Sequence, residues 1–106
     1  MNLRRGDIFW GDFGFKCRPY VVVSCDARNA TSNSAIVIPI TTKQYSRMYP
    51  THVPICYGSI CSSVCMAENM IKIEDPTGST FSAVEHLPDG IMMHIDAALK
   101  KALDLN

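Results

Sequence analysis

Two residues with side chains suited to phosphate, Arg18 and Thr41, each lie at one end of a strongly β-forming segment. The guanidinium of Arg18 is always charged and presents forked donors that match phosphate oxygens. The hydroxyl of Thr41 can donate a further hydrogen bond to the same oxygens. Residue type alone leaves simpler interpretations open, namely a surface arginine and a β-branched strand end.

Composition limits the class of protein. The chain has 106 residues, of which 47% are hydrophobic and 19% charged, as in ordinary globular proteins. We expect a single domain over residues 1–106, because two cores would each be too small to offset the entropy of ordering them. The net charge is zero, which argues against non-specific coating of nucleic acid but leaves room for a short site touching two or three phosphates.

The cysteine pattern gives no reason to expect a metal or another cofactor. Five cysteines lack the paired short spacings of a zinc site, and we expect them to be reduced thiols. No secretory signal is expected, and no apolar run approaches the roughly 20 residues of a membrane span. These features predict a cytoplasmic protein that does not bind a membrane.

Most of the chain reads as short strands. Segments 19–24 and 35–41 are continuously apolar, so we expect them to be covered on both faces. Pro54 cannot donate to a ladder, which predicts an edge position for its strand. The predicted strands are 7–13, 19–24, 35–41, 51–55, 63–67 and 70–73, with a loop over 26–34 that has room for one helical turn and a turn over 75–79.

The last segment changes to a helical period. Apolar residues recur at spacings of three and four, after a proline suited to a first helical turn and before two lysines near the far end. The apolar stripe is Met92, Ile95, Ala98, Leu99, Ala102 and Leu103. Short strands followed by one amphipathic C-terminal helix predict a mainly β fold with helices, built as a small bent barrel.

Several segments, taken in order, resemble the MazF/PemK family of toxin endoribonucleases. Arg-Pro opens one apolar strand, Ile-Thr closes the next, and an acid–amide pair follows later. The matching segments are 5–8, 18–24, 38–42, 49–53, 67–70 and 97–103. The resemblance implies an SH3-like β-barrel that forms a homodimer, cuts single-stranded RNA at short sequences and is blocked by a cognate antitoxin protein.

The resemblance also implies roles for individual residues. It assigns catalysis to Arg18 and Thr41 and RNA contact to Glu68 and Asn69. The other expected RNA-binding residues are Phe15, Lys16, Pro19, Thr42 and His52. The loop before Arg18 looks shorter than is usual in the family, which bears on base preference.

Chemistry adds detail to these assignments. RNA carries its own nucleophile, the 2′-hydroxyl, so an enzyme need only position it, move protons and stabilise charge. His52 is the obvious proton carrier, although a solvated strand histidine is simpler. Glu68 could act as a base, but we favour a contact with a base amino group. Trp10, Phe13 and Phe15 could each stack on bases. Phe15 is the better candidate, and Trp10 is expected in the core.

Two other functions stay open at this point. The same barrel serves toxins that bind DNA gyrase without chemistry, and fold alone does not separate them. A catalytically degenerate RNA-binding relative is the third interpretation. Cleavage of a long RNA in EDTA would distinguish the nuclease from both.

Overall fold

The computed structural model describes residues 1–14, 16–42, 47–58, 60–77 and 80–105. The described chain is mainly β, with a short helix after the second strand and a longer helix at the end. The elements in chain order are β1 (Asp7–Gly11), β2 (Arg18–Val22), α1 (Asp26–Thr31), β3 (Ser34–Thr41), β4 (His52–Tyr57), β5 (Ile60–Met66), a 3-10 helix (Ala67–Asn69), β6 (Ile71–Glu74), β7 (Glu85–His86) and α2 (Asp89–Ala102).

Strand β3 organises the sheet, because it pairs with three other strands. One edge of β3 pairs antiparallel with β2, while the other pairs with β6 through Ser34–Val37 and with β5 through Ile40 and Thr41. The full order is β4-β5-β3-β2-β1-β7, with β6 attached to β3 off this path. Since two partners share one edge of β3, the sheet divides at that strand and bends into a half-barrel, as the sequence predicted.

Alternate residues of the central strands enter two separate cores. Ile8, Val21 and Ile38 face the first core, which α2 closes with Met92, Ile95 and Ala98. Phe9, Tyr20 and Val37 face the second, where Phe13 and Phe81 pack against them. Two cores on opposite faces explain why β2 and β3 are continuously apolar, because an alternating strand would leave one core without apolar side chains.

The edge strand β4 and the segment after β2 can be compared with the elements predicted from the sequence. β4 lies at one edge of the sheet with Pro54 exposed, as predicted. The polar segment after β2 contains a six-residue helix, α1, rather than only loop. Its Asn29 is buried and exchanges hydrogen bonds with Ser24, at 2.6 Å between the side chains and 3.0 Å to the backbone carbonyl.

Helix α2 begins after Pro88 and packs Met92, Ile95, Ala98 and Leu99 of its predicted stripe into the first core. Leu103 lies beyond the helix and is 52% exposed, so its expected place in the stripe is wrong. Its backbone N–H instead closes the helix by donating to the carbonyl of Leu99 at 3.0 Å. Among the described residues, no helix is both long and apolar enough to cross a membrane.

The cysteines differ from expectation. Cys56 and Cys61 form a disulfide between β4 and β5 near the tip of their hairpin, whereas reduced thiols were expected throughout. Cys17 and Cys25 are free and exposed, and Cys65 is free and buried. Burial raises the pKa of the Cys65 thiol to about 12, so this thiol stays neutral and acts as a small apolar core residue.

Candidate functional site

Arg18 and Thr41 meet at one end of the sheet, although 22 residues separate them along the chain. Strands β2 and β3 pair with Tyr20 opposite Pro39. The same antiparallel register, continued toward the strand ends, brings Arg18 opposite Thr41, and opposite residues share a face of a sheet. Both side chains are half-buried and line one cleft of about 160 Å³.

The wall of this cleft contains three more of the expected site residues, together with one residue expected elsewhere. Lys16, Pro19 and Thr42 line it as the sequence suggested. Trp10, which was expected in the core, is 48% exposed and forms part of the same wall. Trp10 shares a face of β1 with Ile8 and pairs with Pro19 near the end of the strand, but unlike Ile8 it does not belong to the first core.

Arg18 also borders a second, larger cleft of about 410 Å³ on its other side, lined by Phe13, Arg18, Tyr20, Pro39, Asn69 and Ile71. Asn69, 51 residues from Arg18 in sequence, therefore shares a surface with it. Burial raises the pKa of the Tyr20 hydroxyl, with the positive charge of Arg18 opposing the shift. Tyr20 accordingly offers a neutral hydroxyl, while Phe13 and Pro39 give the second cleft an apolar wall.

A glycine makes room for the ring of Phe13 beside Arg18. Gly11 lies directly opposite Arg18 across the β1–β2 pair. A Cβ atom at position 11 would lie only 2.8 Å from the ring of Phe13, closer than real Cβ contacts allow. Any larger residue at Gly11 would displace Phe13 from the edge of the second cleft.

Glu68 and Asn69 project from the 3-10 helix that links β5 to β6, and both are exposed. Asn69 borders the second cleft, but neither of the two clefts includes Glu68 among its lining residues. Oε1 of Glu68 instead lies 3.0 Å from Nε2 of His52 at the start of β4. Only 3% of the His52 side chain is exposed, so the expectation of a solvated strand histidine is wrong.

The structure thus brings most of the expected site residues into one continuous region. The first cleft joins Arg18 and Thr41, the second joins Arg18 and Asn69, and Glu68 lies between Asn69 and His52. Phe15, expected to stack on a base, lies outside the described residues. Trp10 was missed because an aromatic residue in an apolar strand usually indicates a core position.

The side chains of this region can bind a phosphate and the groups attached to it. Arg18 supplies a forked cation, Lys16 a second positive charge, and Thr41 and Thr42 hydroxyl donors. Within the described ranges, no three His, Cys, Asp or Glu side chains gather where they could hold a metal ion. The cations and hydroxyls that line the first cleft suit the stabilisation of charge on phosphate oxygens.

Comparison with known proteins identifies the family. The model of the PemK-like, MazF-like toxins of type II toxin–antitoxin systems matches residues 4–103. Endoribonuclease EndoA of Bacillus subtilis (strain 168) is 31% identical over 115 aligned positions, covering 99% of this chain and 97% of the relative. The alignment is longer than the 106-residue chain, so the relative has residues without a counterpart here.

Solved structures agree on the fold. A mycobacterial endoribonuclease in complex with its cognate antitoxin superposes with a TM-score of 0.86 at 24% identity, covering 98% of this chain and 97% of that one. The MazE–MazF complex of Deinococcus radiodurans, in its Form III crystal, gives 0.82 at 19% identity with both chains fully covered.

The barrel and its family match define a toxin component of a type II toxin–antitoxin system. Within that class, the chain belongs to the MazF/PemK family, which confirms the resemblance found in the sequence. Membership favours the RNA-cutting interpretation over the gyrase-binding one.

Proposed function

We propose that this chain is a toxin endoribonuclease that cuts single-stranded RNA at short sequences without a metal, with Arg18 and Thr41 as catalytic residues. Its membership of the MazF/PemK family and its similarity to an endoribonuclease support RNA cleavage. The assignment of roles depends on one observation, the presence of Arg18 and Thr41 in a single cleft at the ends of β2 and β3.

In the proposed reaction, the 2′-oxygen attacks the adjacent phosphorus. A new O2′–P bond forms, the P–O5′ bond breaks, the 2′-hydroxyl loses a proton and the departing 5′-oxygen gains one. Negative charge grows on the non-bridging oxygens, where the Arg18 guanidinium and, secondarily, the Thr41 hydroxyl would stabilise it. The products would carry a 2′,3′-cyclic phosphate and a 5′-hydroxyl.

Substrate recognition would extend to both sides of Arg18. Asn69 borders the second cleft and Glu68 is next to it, so their polar groups could bind base edges, which an unstacked strand offers directly. Lys16, Pro19 and Thr42 would contact the RNA around the scissile phosphate. The exposed ring of Trp10, which lines the first cleft, would offer a stacking surface in addition to the one expected from Phe15.

The toxin would act as a dimer in the cytoplasm under the control of a partner protein. Complexes of structurally similar toxins with their antitoxins support a cognate antitoxin as a partner of this chain. We propose that this antitoxin inhibits the toxin by covering the RNA-binding region. We also infer a homodimer acting in the cytoplasm, the compartment that holds messenger RNA.

The test is cleavage of a long single-stranded RNA, with the product ends analysed by end-labelling. Cutting that is unaffected by EDTA and leaves a 2′,3′-cyclic phosphate and a 5′-hydroxyl is the expected result. Loss of cutting in EDTA with recovery in magnesium, or 5′-phosphate ends, would contradict the proposed mechanism. Absence of cutting on any RNA would favour the degenerate RNA-binding alternative.

A further inference from the structure

His52 is anchored at both ring nitrogens inside the protein. Its Nδ1 accepts a hydrogen bond from the backbone N–H of Tyr49 at 3.4 Å, and its Nε2 lies 3.0 Å from Oε1 of Glu68. The ring of Tyr49 packs edge-on against the imidazole, with 5.4 Å between centroids. Only 3% of the His52 side chain is exposed, against 43% for Glu68.

These contacts fix the tautomer of His52. A nitrogen that accepts from an N–H group carries no proton itself, so the ring proton of His52 resides on Nε2. Nε2–H then donates to the carboxylate of Glu68. A buried and rigid donor thus holds a side chain that would otherwise rotate in solvent.

The backbone around this pair is equally constrained. His52 pairs with Met66 across the β4–β5 ladder, and the N–H of Ala67 donates to the carbonyl of Thr51 at 3.0 Å. The 3-10 helix that carries Glu68 and Asn69 therefore starts from a fixed point beside His52. Position and orientation of the Glu68 carboxylate are both set from β4.

We infer that His52 is a positioning residue for RNA sequence recognition, acting through Glu68 rather than by contact with RNA. The inference rests on the proposed function, in which Glu68 and Asn69 read base edges. Burial keeps the imidazole away from the nucleic acid, while the Nε2–H···Oε1 bond gives the carboxylate one orientation toward a base. Loss of that bond would let the carboxylate adopt several orientations and accept several bases.

The test compares cleavage of the best RNA site with cleavage of sites that differ by one base. His52→Phe keeps an aromatic ring but removes the donor, and discrimination should fall about tenfold, the effect of one hydrogen bond to a charged group. His52→Gln can still donate from its amide and should retain most of the discrimination. His94→Phe is the matched control, because His94 is exposed on α2 and borders the same 420 Å³ groove as His52.

A double-mutant cycle separates positioning from a purely structural role. His52→Phe should add nothing to Glu68→Ala, because both remove the same oriented carboxylate. A structural defect would instead slow all sites equally and lower the melting midpoint. Folded His52→Phe with wild-type discrimination, or additive effects in the cycle, would overturn the inference while the wild type still cuts RNA. A wild-type chain that cuts no RNA would overturn the proposed function and this inference together.

An NMR measurement that does not need the His52→Phe variant tests the same contact if that variant does not fold. Long-range ¹H–¹⁵N spectra should show a proton on Nε2 of His52, with the Nε2 resonance shifted in Glu68→Ala. A proton on Nδ1, or a His52 resonance unchanged by Glu68→Ala, would contradict the contact on which the inference depends.

Discussion

Both carboxylate oxygens of Asp75 accept the backbone N–H of Thr80, at 3.2 and 3.1 Å. The N–H of Phe81 and the hydroxyl of Thr77 donate to the same carboxylate at 3.4 and 3.3 Å. Burial raises the pKa of Asp75, but these hydrogen bonds outweigh burial and hold it below its ordinary value. The carboxylate thereby fixes the start of the segment that packs Phe81 against Phe9.

Asp75→Asn should destabilise the fold in a pH-dependent way. Because the pKa is lower in the folded chain, the ionised carboxylate stabilises the fold above the ordinary aspartate pKa of about 4. This contribution is lost as the pH falls through the depressed value. Unfolding free energies should differ by about 1–3 kcal/mol near neutral pH and converge as the pH falls below the depressed pKa of Asp75. Exposed Asp104→Asn is the control, and a difference independent of pH would contradict the prediction.

Arg18→Ala should cripple RNA cleavage and leave stability nearly unchanged. Loss of one preorganised donor costs about a hundredfold to a thousandfold in rate, whereas Arg18 has no ion pair among the described contacts. Arg18→Lys should also be poor, because a point charge lacks the fork. Thr41→Val keeps the strand shape and should slow cutting less. Initial rates are measured beside a melting curve for each variant, and full activity in Arg18→Ala would refute its catalytic role.

Asn69→Ala should alter sequence preference more than it slows cutting of the best site. The amide borders the second cleft, where it can bind a base edge, and it does not line the Arg18–Thr41 cleft. Sequencing of the cut ends from a long RNA measures the preference. Exposed Lys72→Ala on the neighbouring strand β6 is a suitable control. A uniform slowing with an unchanged cleavage pattern would give Asn69 a structural role instead.

The chain should form a symmetric homodimer at micromolar concentration. Large apolar side chains remain exposed after the two cores are filled, including Trp10, Val84, Met93, Leu103 and Leu105. A second copy would cover part of this surface, and a twofold axis makes the contact self-complementary. Light scattering that gives the mass of one chain would contradict this prediction.

Thiol labelling should distinguish three classes of cysteine. At pH 8, exposed Cys17 and Cys25 should react with a disulfide reagent in the folded protein. Buried Cys65 should not, because its pKa of about 12 lies above the pH and leaves no thiolate to react. Cys56 and Cys61 should become reactive only after reduction. Mass spectrometry that finds five free thiols before reduction would contradict the disulfide.

The sequence predicted the fold because its strands carry distinctive patterns. The apolar runs around Val21 and Ile38 indicated cover on both faces, and the two cores supply that cover. Pro54 indicated an edge, which is where β4 lies. The predictions were less accurate where tertiary contacts determine the bounds of a strand. β5 begins at Ile60, before its predicted start at residue 63. β7 has only two residues and forms by pairing with β1.

The site was predictable in part for a similar reason. Arg18 begins β2 and Thr41 ends β3, and the antiparallel pairing of these two strands brings the two residues together. The environments of His52 and Trp10 were not predictable, because burial depends on which elements lie beside a strand. His52 was expected to be solvated on a short edge strand, and only the position of the 3-10 helix shows that Glu68 meets its ring.

The triple pairing of β3 makes the chemistry sensitive to distant apolar residues. Thr41 is the last residue of a strand whose alignment is set along both edges by β2, β5 and β6. A slip of one position would turn every side chain of the strand to the opposite face and remove the hydroxyl from Arg18. Interior substitutions at Val37 or Ile38, far from any RNA, would then act as inactivating mutations, and toxin-resistant survivors are a natural place to find them.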